Sequence, residues 1–244
     1  MAGQGRISKP PAMPSFRLAR ALTSAFGLIP LAWPPAHAAT TQDEQVWLNL
    51  TAMGPVSGDL LYFAEIQPRI GNGVSRIDQT IVRGAIGWKL SPSLSVYQGY
   101  AHVMLPVRDG RDVNEERSFQ QVSWTIGKPW QGELSSRTRL EQRWRSDGGG
   151  TGWRLREMLR YEKPLKPGSD AVNALVYAEG FAALNSTDWG QRAGFEQLRS
   201  FAGAEIGLMG KSTAEIGYLN QYVHQGGGAS RMNHVAAVTF FFRR

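Results

Sequence analysis

The chain has 244 residues, of which 42% are hydrophobic and 19% charged, with 28 glycines and no cysteine. The length allows one large β domain or two small ones, and the missing cysteine excludes disulfides, a thiolate metal site, a catalytic thiol and a lipid-modified N-terminal cysteine. The formal charge of +7 includes Arg6, Lys9, Arg17 and Arg20 of residues 1–38, a segment with no acid, so the remainder carries about +3, too little to point to nucleic acid.

The N-terminal segment reads as a secretion signal. Arg17 and Arg20 precede an apolar run from Ala21 to Trp33, and Pro34-Pro35-Ala36-His37-Ala38 follows as a small-residue cleavage box. The expected cut falls before Ala39, leaving residues 39–244 as one exported domain, and Met13 is an alternative start that gives a leader of ordinary length. No stretch of about 18 apolar residues occurs, so a transmembrane helix is not expected.

Beyond the leader, segments near 45–53, 58–70, 78–90, 94–105, 117–128, 132–145, 153–163, 171–183, 195–208, 212–224 and 233–243 read as strands. Most reach the roughly 9–11 residues that a tilted strand needs to cross a bilayer. The breaks alternate between short turns, such as Ser91-Pro92-Ser93, and longer polar ones, such as Pro106 to Glu116. Short periplasmic turns alternating with longer external loops would put the C-terminus on the periplasmic side.

Side chains alternate between two faces along a strand. One set collects Val82, Ile86, Trp88, Val122, Trp124, Leu155, Leu159, Val176, Leu198, Ile206 and Ile216, and also Tyr97, Ala101, Val103 and Leu105. The opposite set holds Glu65, Arg69, Arg83, His102, Arg137, Arg139, Glu141, Arg143, Arg154, Arg156, Arg160, Glu162, Glu179, Arg199, Glu205 and Glu215. An arginine facing lipid at mid-depth costs roughly 2–4 kcal/mol, so these residues are expected to line a lumen. Glu157 and Lys163 break the pattern on the apolar set. Trp47, Trp88, Trp130, Trp144, Trp153, Tyr161, Tyr177 and Tyr222 are candidates for interfacial girdles. The expected fold is all-β: a single antiparallel up-and-down transmembrane β-barrel of 10–12 strands with an arginine-rich polar lumen. Eleven candidates conflict with the even count of bacterial barrels. Either the weak first segment does not span, giving ten, or one more is hidden, giving twelve.

Trp47, the Glu65-x-Gln67-x-Arg69 pattern, Gly217-Tyr218-Leu219-Asn220-Gln221-Tyr222, Asn233-His234 and the aromatic last strand resemble the domain-of-unknown-function 2490 family. The resemblance implies a Gram-negative outer-membrane barrel and carries no activity.

The chemistry is sparse. No cofactor motif and no metal-ligand spacing appears, and the glycine triplets at 148–150 and 226–228 lack the helix and Lys-Ser/Thr of a phosphate loop. A lipid hydrolase would use His102 or His234 as base, yet His102 is followed two residues on by Met104 and His234 by Ala236, not by serine. A soluble periplasmic ligand-binding barrel is the other rival. The reading adopted is an outer-membrane barrel, either a narrow anion-leaning, porin-like channel or a structural envelope protein. Its expected partners are outer-membrane lipid, the insertion machinery during biogenesis, and small solutes, but no nucleic acid.

Overall fold

The computed structural model describes residues 40–166, 169–226 and 229–244. The expected leader and its cut lie outside these residues. Eleven strands occupy almost the whole described chain: β1 (Thr40–Ser57), β2 (Leu60–Gly71), β3 (Arg76–Ser91), β4 (Leu94–Leu105), β5 (Val113–Gly127), β6 (Glu133–Arg145), β7 (Gly152–Lys166), β8 (Ser169–Ala183), β9 (Gly194–Gly207), β10 (Thr213–Gly226) and β11 (Ala229–Arg243). Each pairs with its sequence neighbour, and β1 pairs with β11 to close the cylinder.

Neither even count holds. The first segment is a full strand of 18 residues. Strands that run up and down alternate in direction, so an odd number leaves the first and last pointing the same way. Closure therefore requires one parallel pair, and β1 and β11 form it in unbroken register from Thr40↔Ser230 to Met53↔Arg243. The remaining pairs are antiparallel. As a result β1 starts at one end of the barrel and β11 finishes at the other.

Turn lengths differ between the two ends. At the end where β11 finishes, residues 58–59 join β1 to β2 and 92–93 join β3 to β4. At the opposite end lie the longer connections 106–112, 146–151 and 184–193. The loop 184–193 is pinned inward: Gln191 Nε2 donates to the carbonyls of Asn185 and Trp153 at 2.9 and 3.3 Å, and Asp188 accepts from the Gly149 amide.

The outer face is apolar in a band with aromatics at both edges. Ile66, Val82, Ile86, Val122, Leu155, Leu159, Val176, Leu198 and Ile216 are exposed there. Trp88, Trp124 and Trp130 stand toward the short-turn end, and Trp144, Trp153 and Phe195 toward the long-loop end. Trp153 and Tyr161 of β7 lie eight residues apart, about 26 Å along the strand at roughly 3.3 Å per residue.

Part of the interior is packed with apolar side chains. On the β1 and β8–β11 side, Trp47, Leu175, Phe201, Leu219 and Val235 form an apolar cluster with Tyr177 against it. The Tyr177 and Phe201 rings stack at 4.8 Å. Trp47 and Tyr177 are thus interior residues rather than girdle residues. The cluster needs Gly203 and Gly217, which face each other across β9 and β10. A side chain on Gly217 would meet the Ala202 carbonyl and the Phe201 ring. Replacing Gly217 by Val is expected to cost about 1–3 kcal/mol through overpacking. At the outward Gly84, an added methyl would have only the Phe63 carbonyl near it, at 3.9 Å, so Ala should be accepted there within about 0.5 kcal/mol. Urea unfolding of both variants in detergent micelles checks the contrast.

Candidate functional site: an ion-paired bore

Beyond the apolar cluster, the inner faces of β2, β3 and β5 to β10 carry the charges. They project inward because the period of two leaves them no other side on which to be covered: an outward guanidinium would displace the apolar band. Glu65, Arg69, Arg83, Arg137, Arg139, Glu141, Arg143, Arg154, Arg156, Arg160, Glu162, Glu179, Arg199, Glu205 and Glu215 all lie in the interior, most of them buried.

They join into a chain of alternating sign. Glu115 accepts from Arg117 at 2.7 Å and Arg143 at 2.6 Å. Arg143 approaches Glu196 at 3.5 Å, which also takes Arg154 at 3.1 Å. Arg154 donates to Glu141 at 2.5 and 2.8 Å, and Glu141 accepts from Arg156 at 2.7 Å. Arg156 then reaches Glu179 at 2.7 Å, which Arg137 also meets at 2.8 Å. Nearer the short-turn end, Arg160 holds a separate group of three carboxylates: Glu215 at 2.6 Å, Glu162 at 2.8 Å and Glu205 at 3.4 Å. A barrel of eleven strands is wider than the eight-stranded size that ordinary side chains just fill. Long Arg and Glu side chains can span that extra width.

Rings orient the cations. Arg139 lies 4.4 Å over Phe119 and donates to Gln121 at 2.9 Å; Arg156 lies 4.5 Å over Phe181. Arg69 lies 3.7 Å over Trp47, and Arg199 stands 5.0 Å from the same ring. At the long-loop end, Trp189 sits beneath Arg143 and Arg145, and Gln191 accepts from Arg143 at 3.0 Å.

Two cavities within the bore adjoin at its waist. The larger, about 500 Å³, faces the long-loop end; the smaller, about 200 Å³, lies below it. Trp47, Arg69, Arg83, Arg156 and Arg199 line both, so these five residues stand at the waist where the two adjoin.

His102 departs from the expected placement. It stands on the outer face of β4, while its neighbours Ala101 and Val103 are buried inside with Ile81. The apolar set Tyr97, Ala101, Val103 and Leu105 therefore lines the interior. Register explains the reversal: Arg83 is inward and lies across from Ala101, and Val82, which is outward, lies across from His102. On the outside, His102 Nδ1 is 2.7 Å from Glu116, which also accepts from the Tyr100 hydroxyl at 2.7 Å. Other outward polar groups also satisfy one another. The amides of Gln98, Gln120 and Gln142 link across β4–β6, and Glu157 accepts from Ser136 and Thr138 at 2.5 Å each. These bonds account for Glu157 on the apolar set.

Sequence reading missed Glu115, because β5 starts earlier than expected, Arg117, at the first position of the expected strand, and Glu196, which does not stand in the alternating inward set. A cue existed for the first pair: Glu115 and Arg117 continue the inward parity of Gln121 and Ser123.

A closed all-β cylinder with an ion-paired interior is the class that the fold and bore define. The chain belongs to the family described as "Protein of unknown function (DUF2490)", which it matches over residues 44–233. It is 49% identical over 209 residues to an uncharacterized protein of Methylorubrum extorquens, covering 85% of this chain and 91% of that one. No solved structure matches the chain.

Removing one partner of a buried ion pair strands the other charges and costs about 3–5 kcal/mol. Glu179→Gln removes the carboxylate shared by Arg137, Arg156 and Arg199, and a loss of that size is expected in urea unfolding. Glu133→Gln, at an exposed position, should change stability by no more than about 0.5 kcal/mol.

Proposed function

We propose that this protein spans the outer membrane as a barrel whose bore is closed at its waist and leans toward anions. The carrying observation is the sidedness of the sheet: leucine, isoleucine and valine outward, arginine and glutamate inward. A soluble barrel would reverse it, burying the apolar face and exposing the charges. Lipid accepts the outward band and rejects unpaired guanidinium groups, whereas a sealed bore supplies them with carboxylates. The aromatic edges suit the two membrane interfaces, where amphipathic rings settle. The long-loop end is then external and the C-terminus periplasmic.

The waist supports a closed resting state. Trp47 and two stacked guanidinium groups stand there, and the packed cluster of Leu175, Phe201 and Leu219 fills the bore beside them. The excess of arginine over acid around the larger cavity favours anions in any path that opens. A lipid-hydrolase reading gains nothing from the histidines. His102 bonds a carboxylate and His234 the Tyr218 phenol, and neither ring has a serine in its described hydrogen bonds.

Sodium carbonate extraction of cell envelopes is expected to leave the protein in the membrane pellet; release into the supernatant would remove the membrane placement. In planar bilayers the native barrel should show little steady conductance. Trp47→Ala, which removes bulk at the waist without unpairing a charge, should open an anion-selective one. Equal conductance in both proteins would contradict the closed waist.

A further inference from the structure

The vestibule above the waist holds more positive charge than its ion pairs neutralise. Ten arginines line the larger cavity against three acids, Asp78, Glu115 and Glu196. Most of these arginines reach a carboxylate somewhere in the bore. Arg69 does not. It donates only to neutral amides, Gln67 at 2.7 and 3.1 Å and Gln79 at 2.8 Å. The charged groups that bear on it most strongly are the guanidinium groups of Arg199, Arg117, Arg83 and Arg156.

Its neighbours at the waist are also under-paired. Arg199 is 9% exposed and has one carboxylate oxygen, of Glu179, at 3.7 Å. That carboxylate already serves Arg137 and Arg156, and the Nε of Arg199 has no hydrogen-bond partner among the described residues. Arg83 is equally buried; it meets Glu65 through one nitrogen at 3.0 Å, and its Nε is likewise unpartnered. Water can satisfy N–H groups but cannot cancel their charge, and buried charge without a counter-charge is strongly unfavourable.

We propose that the floor of this vestibule binds a phosphate group, free or carried on a small soluble molecule, held by Arg69, Arg199 and Arg83. A phosphate offers several anionic oxygens to several planar guanidinium forks at once, which a single carboxylate side chain cannot do. The forks are already oriented, since Trp47 supports Arg69 and Arg199, and Phe181 lies 4.6 Å from Arg199. Less rotamer freedom is then lost on binding. A volume of about 500 Å³ exceeds what phosphate alone fills and lies within the usual range of ligand sites, roughly 300–1,000 Å³. The strands close without a gap, so a lipid headgroup cannot enter through the wall, and the ligand comes from solution at the long-loop end. This site rests on the anion-leaning reading of the bore and is independent of the membrane placement.

The test is calorimetric titration of the full-length barrel in detergent with inorganic phosphate, pyrophosphate and glucose 6-phosphate, at constant ionic strength against a chloride control. Binding of at least one of them near one per barrel is expected, weakened about tenfold or more in Arg69→Gln and in Arg199→Gln. Arg108→Gln, on the exposed loop 106–112 and outside the cavity lining, should bind as the native protein does. Arg69→Lys keeps the charge but loses the planar fork; it should bind with intermediate strength, and it replaces Arg69→Gln if that variant does not fold. Preference for glucose 6-phosphate identifies a carried phosphate, and preference for the inorganic ions a free one. No binding above the chloride control, or equal binding by native protein and the folded waist variants, overturns the site. Carbonate extraction is unaffected by that result, so the two readings fail separately.

Discussion

Arginine and glutamate sealed inside one bore set the terms for the rest of this protein. Arg156 bridges Glu141 and Glu179 at 2.7 Å each, and through Arg154, Glu196 and Arg143 that contact extends to Glu115. Apart from Glu196, the members of this chain share the inward parity that strands β5 to β9 keep over many residues. A register slip of one residue would send those charges to the outer face. The pairing thus fixes the register, and the register leaves the outer face free to be apolar.

The bore is not uniform. Its other half is packed like a protein core, with Trp47, Leu175, Phe201, Leu219 and Val235 in contact. Trp47 belongs to both halves, since its ring is part of that cluster and also carries Arg69 and Arg199. The waist of the barrel lies at that junction. Aromatic bulk and ion pairs share the cross-section there.

Much of this was legible in the sequence. The alternation of Arg137, Arg139, Glu141 and Arg143 set the inner face of β6, and the same period served β2, β3 and β7 to β10, so the segments expected as strands are the strands observed, with ends shifted by several residues in places. Strand β4 was misread because both its faces are largely uncharged: Val96 and Tyr100 on one, Tyr97, Ala101 and Val103 on the other. Hydrophobicity cannot choose between two apolar faces, and the polar cues, Gln98 and His102, are satisfied outside by Gln120 and Glu116. The first strand looked weak because its N-terminal half is polar; parallel pairing along β11 holds it in place. Trp47 and Tyr177 looked like interface aromatics since nothing in a single sequence reveals which tryptophan has guanidinium neighbours.

The central claim is that neighbouring positions on one strand face lipid and a sealed interior in turn. The absence of native cysteine makes single-cysteine spin labelling clean. Labels at Val82, Ile86 and Val122 are expected to collide freely with oxygen dissolved in lipid and little with a water-soluble nickel chelate, and labels at Ala85 and Gln121 to be shielded from oxygen. An oxygen profile without that period of two, or one with its phase reversed, would contradict the account.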